Sequence, residues 1–170
     1  MFNGCIHLIK APELPSTTLA DSCYEYMFYG CKSLTTVPSN LLPATTLASY
    51  CYQYMFYGCT SLTTVPSNLL PATTLASYCY KSMFSGCSSL TTIPKLPATI
   101  LAIACYQNMF YGCSSLVETP RGWILPVKTT NNYLPTPNEV KDNMYESMFS
   151  GCTGLTTLPS NLVTFNAYRS

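Results

Sequence analysis

The chain has 170 residues, a net charge of +1 and only 9% charged residues, against about 25% in an average domain. This length fits roughly one domain. The charge balance excludes an electrostatic interface for nucleic acid, because such an interface needs clustered basic residues. No apolar run approaches the roughly 18 residues of a membrane-spanning helix, so no span is predicted, and no signal peptide is visible at the start.

An internal repeat organises the chain. Met-Phe occurs six times, at spacings of 26, 28, 28, 26 and 39 residues, and x-Gly-Cys follows each time. A Leu comes three residues after each Cys and a Pro four residues after that Leu. The repeat predicts a single domain over 1–170 of about five to six repeats, with a truncated first repeat, an irregular insertion at 121–133 and a cap or linker at 163–170. The Met-Phe pairs begin at Met1, Met27, Met55, Met83, Met109 and Met148.

One repeat, residues 42–68, reads as a helix followed by a strand. Its apolar residues recur at i, i+1, i+4, i+5, i+8 and i+9 from Leu47 to Phe56, which is typical of one face of a helix. Thr45 or Thr46 can cap the helix, and Gly58 fits the left-handed residue that ends it. The β-favouring segment 61–66 then predicts a short strand that stops at Pro66.

A unit of this size cannot bury its apolar face alone, whereas stacked copies can. The predicted fold class is therefore α/β: a leucine-rich-repeat-type solenoid with one helix and one short strand per repeat of 26–28 residues. The strands would form a parallel sheet on one face. We also expect apolar ends that neighbouring domains or subunits could cover.

The motif M-F-x-G-C-x-S-L-T-T-x-P, with L-P-A-T-T-L-A-x-x-C-Y between copies, resembles the BspA-like leucine-rich repeats. Those repeats occur in surface proteins of anaerobic bacteria, in some parasites and in some phage proteins. The resemblance implies a solenoid with a surface-exposed adhesion or recognition role. It supplies no catalytic residue, because the family motif is a packing motif.

The ten cysteines allow two interpretations. The two Cys of a repeat, such as Cys51 and Cys59, are eight residues apart, which is about 12 Å along a helix and too far for a disulfide. Met144 occupies the slot of the first Cys in the last repeat, which favours an apolar position. We therefore favour buried free thiols over disulfides, and no zinc-ligand spacing is present.

The sequence offers no catalytic or cofactor site. His7 is the only histidine, and the acidic residues are scattered along polar positions. No phosphate-binding glycine motif occurs. Neither an enzyme activity nor a cofactor or metal is expected.

Two sets of residues are candidates for ligand binding. The first is a predicted exposed aromatic patch on the outer side of the helices, because tyrosine offers large contact area at low entropic cost. The second lies in the insertion, since insertions in solenoids often line the binding face and Trp and Arg are frequent hot spots. The tyrosines are Tyr26, Tyr29, Tyr50, Tyr54, Tyr57 and Tyr78, and the insertion residues are Arg121, Trp123, Lys128 and Tyr133.

The leading functional hypothesis is a non-enzymatic recognition or adhesion module that binds a host protein or glycan at a bacterial cell surface, carried there by a longer parent chain. One alternative is a structural or receptor-binding component of a phage particle, located in the virion. Another is an intracellular protein-interaction scaffold, which free thiols would allow.

Overall fold

The repeats stack as consecutive coils, one repeat to a coil, in the computed structural model, which describes residues 1–119, 128–129 and 143–157. Corresponding phenylalanines of adjacent coils have ring centroids 5.4–5.6 Å apart, with nearly parallel planes. The ladder of rings they form consists of Phe2, Phe28, Phe56, Phe84, Phe110 and Phe149.

The prediction of one helix per repeat is wrong. No helix occurs in the described part of the chain, and the 48–59 segment is a series of overlapping β-turns. Within it, every second N–H donates to the carbonyl three residues earlier, as Gln53 does to Tyr50 at 3.1 Å and Met55 to Tyr52 at 3.3 Å. The third residue of alternate turns has positive φ, as at Tyr50, Tyr54 and Gly58. The left-handed residue expected at Gly58 is confirmed, but it ends a turn rather than a helix.

The other N–H groups explain why turns replace the helix. Tyr52 N–H donates to Cys79 O at 3.1 Å, Tyr54 N–H to Lys81 O at 3.0 Å, and Phe56 N–H to Met83 O at 2.9 Å in the next coil. Helices pack about 8–10 Å apart, whereas hydrogen-bonded chains lie about 4.8 Å apart. A helix in each coil would hold neighbouring coils too far apart for these backbone hydrogen bonds. The segment therefore forms turns.

The sheet is much smaller than predicted. Strand β1 is Ile100–Leu101 and strand β2 is Lys128–Thr129, and the two pair in parallel with Ile100 opposite Lys128 and Leu101 opposite Thr129. Isolated parallel bridges join Lys10 to Thr36 and Thr74 to Ile100. The expected strand at 61–66 does not form. Its segment ends at a proline, which has no N–H to donate, so only scattered bonds join the coils there, such as Thr91 N–H to Thr63 O at 2.9 Å.

The core lies between the turn segment and the loops of each coil and continues through the stack. Cys51, Tyr52, Met55 and Phe56 are all buried, which confirms the apolar stripe of the repeat, although Leu47 is only half-buried. A second ring ladder, with centroids 5.6–5.9 Å apart, consists of Tyr24, Tyr52, Tyr80, Tyr106 and Tyr145.

Candidate functional site

Six tyrosines on the surface of the turn segments, which we call the tyrosine face, stack in pairs across neighbouring coils. Ring centroids are 4.9 Å apart in Tyr26–Tyr54 and in Tyr29–Tyr57, and 4.8 Å apart in Tyr50–Tyr78. The planes of each pair are within 9° of parallel. Backbone hydrogen bonds between coils set this spacing, since they hold equivalent residues in register.

The first two pairs form a quartet. Tyr26 and Tyr29 of one coil meet at 5.6 Å with tilted planes, and Tyr54 and Tyr57 of the next meet edge to face at 5.8 Å. Both arrangements are favoured by the ring quadrupole. Among the described ring contacts, none joins the quartet to the Tyr50–Tyr78 pair, so the six residues form a group of four and a group of two.

The quartet does not continue into the next coil, because serines replace its tyrosines there. Ser82 and Ser85 occupy the positions equivalent to Tyr54 and Tyr57, and both serines are buried. One coil further, Tyr111 takes the same column as Tyr57 and is 49% exposed. At the pair, the Lys81 ammonium lies 5.4 Å from the centroid of the Tyr78 ring, in a cation–π contact.

The tyrosine face is partly open to solvent. Tyr26 is 39% exposed and Tyr50 is 38% exposed, while the other four rings are half-buried. Partial burial, with the Glu25 carboxylate nearby, raises the pKa of the Tyr26 phenol above its ordinary value. The Tyr26 phenol therefore stays protonated at neutral pH and can donate as well as accept hydrogen bonds.

The second Cys of each repeat has a role that sequence reasoning missed. In every repeat after the first, its thiol donates a hydrogen bond to the backbone carbonyl of the Met-Phe phenylalanine in the preceding coil. Examples are Cys59 Sγ to Phe28 O at 3.1 Å and Cys87 Sγ to Phe56 O at 3.0 Å. The signal available in the sequence was the invariant Phe-x-Gly-Cys spacing across all six copies.

The ten cysteines are free, and eight of them are buried. Burial raises the pKa of the thiols of Cys51, Cys59 and Cys105 to about 12. A thiol reacts through its thiolate, so these groups are poor nucleophiles at neutral pH. They act as small buried side chains, as the sequence favoured, with Cys23 the exposed exception.

The second predicted set falls mostly outside the described residues. This is the case for Arg121, Trp123 and Tyr133. The backbone of Lys128 lies in β2, opposite Ile100. This pairing keeps the usual spacing of 28 residues, whereas Tyr106 N–H bonds to Met144 O, at a much longer spacing.

An open apolar cavity of about 420 Å³ lies at the first coil. Phe2, Leu8, Ala11 and Pro38 line it together with the charged Lys10 and Glu13. Within 1–119, 128–129 and 143–157, no three His, Cys, Asp or Glu side chains are grouped so that they could hold a metal ion. Over the same ranges, no helix is long and apolar enough to cross a membrane.

Stacked single-repeat coils, with a leucine buried at the same position of successive repeats, define a leucine-rich-repeat solenoid. The chain belongs to the BspA type leucine rich repeat family, whose model matches residues 1–117 in six copies. The family assignment made from the motif is thereby confirmed.

Among solved structures, the chain is similar to a leucine rich cell surface protein from Faecalibacterium prausnitzii A2-165, with 20% identity and a TM-score of 0.47. The alignment covers 95% of this chain and 35% of that protein, so the chain spans about a third of that protein's length. No curated protein matches the chain.

Proposed function

We propose that the chain is a non-enzymatic, repeat-mediated binding module of a cell surface protein, and that the tyrosine face contacts its partner. The observation that carries this proposal is the grouping of six partly exposed tyrosines on adjacent coils. Rings held by neighbours lose little side-chain entropy on binding, which favours recognition. The low charge of the chain makes long-range electrostatic steering a small contribution.

The stacking favours a protein partner over a glycan. Sugars bind aromatic residues through the flat face of the ring, but in each pair the rings cover one another's faces at 4.8–4.9 Å. Lys81 lies over the Tyr78 ring as well. Besides the outer ring faces, a partner meets ring edges and hydroxyl groups, which suit the hydrogen bonds and edge contacts of a protein surface.

The cell-surface location is part of the same proposal. It is supported by membership of the BspA type family, since resemblance to BspA-like repeats implies a surface-exposed role. Protease treatment of intact source cells tests it. We expect the chain to be cleaved from intact cells, and protection until lysis would contradict a surface location. The virion and intracellular-scaffold alternatives remain predictions that none of the described contacts supports.

Binding to immobilised matrix proteins and to a glycan array tests the function. The wild-type chain is compared with Tyr50→Ala/Tyr57→Ala, which removes one ring from the pair and one from the quartet. We expect the wild type to bind one or more matrix proteins, before and after enzymatic deglycosylation, and the variant to bind at least ten-fold more weakly. Equal binding by both forms would remove the tyrosine face from the proposal.

Tyr111→Ala is the matched control, because Tyr111 is exposed and shares the Tyr57 column but lies beyond Ser85. It should bind as the wild type does. Trp123→Ala tests the insertion separately. If Trp123→Ala loses binding and the tyrosine variant keeps it, the contact lies in the insertion instead.

A further inference from the structure

The stacked tyrosine pairs have a geometry that suits a covalent reaction as well as binding. Their rings are nearly parallel and are repeated from coil to coil, so equivalent ring carbons lie about as far apart as the centroids, at about 4.9 Å in Tyr26–Tyr54 and Tyr29–Tyr57. Two phenoxyl radicals on such a pair stay next to one another, because both belong to the same folded chain, and they can therefore couple. Coupling then needs only small rotations about the side-chain bonds of these partly exposed rings.

We propose that Tyr26–Tyr54, Tyr29–Tyr57 and Tyr50–Tyr78 are oxidative cross-linking sites, at which a haem peroxidase with hydrogen peroxide joins each pair as dityrosine. This modification would tie adjacent coils together covalently. It is independent of the proposed binding function, because it requires none of the contacts that a binding partner would make.

The peroxidase removes one electron and one proton from each of two phenols, and these two electrons and two protons reduce one hydrogen peroxide to two water molecules. The two phenoxyl radicals form a carbon–carbon bond between the ring positions ortho to the hydroxyl groups. Each ortho hydrogen then moves to the phenolic oxygen and restores the aromatic ring, so that the chain loses two hydrogen atoms per cross-link.

The buried ladder is a poor substrate for the same chemistry. Its rings are further apart, 5.9 Å in Tyr24–Tyr52 and in Tyr52–Tyr80, and Tyr52 is only 1% exposed. A phenol gives up its proton when it is oxidised, and therefore needs an acceptor. Among the residues that the structure describes, the buried Tyr52 hydroxyl has no hydrogen-bond partner, whereas the phenols of the tyrosine face are partly exposed to solvent.

The positions of the lysines make the test specific. Trypsin cleaves after Lys10, Lys32 and Lys81, which places Tyr26 and Tyr29 in peptide 11–32 and their partners in peptide 33–81. The native chain is first alkylated so that accessible thiols such as Cys23 do not reduce the tyrosyl radicals. It is then treated with peroxidase and hydrogen peroxide, digested and analysed by mass spectrometry and by dityrosine fluorescence.

We expect peptides 11–32 and 33–81 to become joined with the loss of two hydrogen atoms per cross-link. The rate per molecule should not change on ten-fold dilution, because the reacting rings belong to one chain. A rate that falls with dilution, products that join only separate chains, or the absence of dityrosine would overturn the proposal.

Tyr54→Phe/Tyr57→Phe is the matched variant, since it keeps the stacked rings and removes two phenols. It should lose at least nine-tenths of the joined peptides and keep the Tyr50–Tyr78 product within peptide 33–81. Tyr111→Phe should react as the wild type does. Joined peptides in undiminished yield from the double variant would place the reaction on the buried Tyr24–Tyr52 pair and overturn the assignment.

Discussion

The backbone conformation of single residues decides whether the turn segment of a coil can form. Gly86 has φ of +73°, and a Cβ added at this glycine would lie 3.6 Å from the Cα and from the N of Gly58 in the preceding coil. That space is sufficient for a methyl group, so the cost of a side chain is conformational rather than steric. An L-residue in the left-handed region costs about 1–2 kcal/mol.

We therefore expect Gly86→Ala to lower the free energy of unfolding by about 1–2 kcal/mol in urea denaturation. Gly86→Asn is the control, because Asn tolerates positive φ and already does so at Asn108 with φ of 55°. It should cost less than the alanine variant. An alanine variant as stable as the wild type would contradict the left-handed conformation.

Ionisation of the buried thiols makes the stability of the folded chain depend on pH. In the unfolded chain a thiol titrates near pH 9, while burial raises the pKa of Cys51, Cys59 and Cys105 to about 12. The folded state thus holds more protons between these values, so its stability is fully present below about pH 9 and is lost as the pH rises towards 12. The urea midpoint should fall steadily between about pH 9 and pH 12.

Cys105→Met provides the comparison, since Met144 occupies the same column one coil later. With one ionising thiol removed, the decline of the midpoint with pH should be shallower, whatever the midpoint at neutral pH. A wild-type midpoint that does not depend on pH in this range would show that the thiols titrate equally in both states.

At the scale of the element, the phenylalanine ladder holds successive coils together. Phe84 is completely buried and stacks on Phe56 at 5.4 Å and on Phe110 at 5.6 Å. Phe84→Ala removes both ring contacts and leaves a cavity that the hydrogen-bonded backbone cannot close. We expect a loss of about 3–5 kcal/mol in the free energy of unfolding.

Tyr111→Ala serves as the reference in the same denaturation experiment, because the ring is 49% exposed and lies outside both ladders. Its effect should stay within about 0.5 kcal/mol of the wild type. Similar losses for both variants would mean that the ladder contributes no more than an ordinary surface ring.

At the scale of the whole molecule, the described coils are built from turns and short parallel contacts. Far-ultraviolet circular dichroism of the chain should therefore lack the paired minima of an α-helix. A helical spectrum that accounts for a third of the residues or more would contradict the turn segments and restore the helix-per-repeat solenoid. Because each coil bonds only to its neighbours, stability should also depend on how many coils are stacked.

The repeat, the buried positions and the family followed from the sequence because they depend on spacing alone. The same stripe also led to the wrong prediction of a helix, since the apolar pairs Leu47–Ala48, Cys51–Tyr52 and Met55–Phe56 recur every four residues. A helix turns once every 3.6 residues, so a strict period of four drifts around its surface. Two linked β-turns repeat every four residues and keep the pairs on one side. The strict period of four residues was therefore the sequence signal against a helix.

The candidate site, likewise, could be predicted only in part from the sequence. The tyrosines could be selected from the sequence, because one column of residues recurs at the repeat spacing. Their pairing at 4.8–4.9 Å could not, since it depends on coils joined by backbone hydrogen bonds rather than on packed helices. The thiol hydrogen bond of Cys59 to Phe28 is equally a product of this stacking.

A stacked repeat protein, its core and its family could be predicted from the sequence alone, because a repeated apolar pattern requires repeated burial. How each repeat is folded depends instead on the contacts between coils. A single repeat leaves half of the N–H groups in its turn segment without partners, and it is the neighbouring coil that supplies their acceptors. That satisfaction of the backbone across coils selects turns over helices and brings the tyrosines face to face.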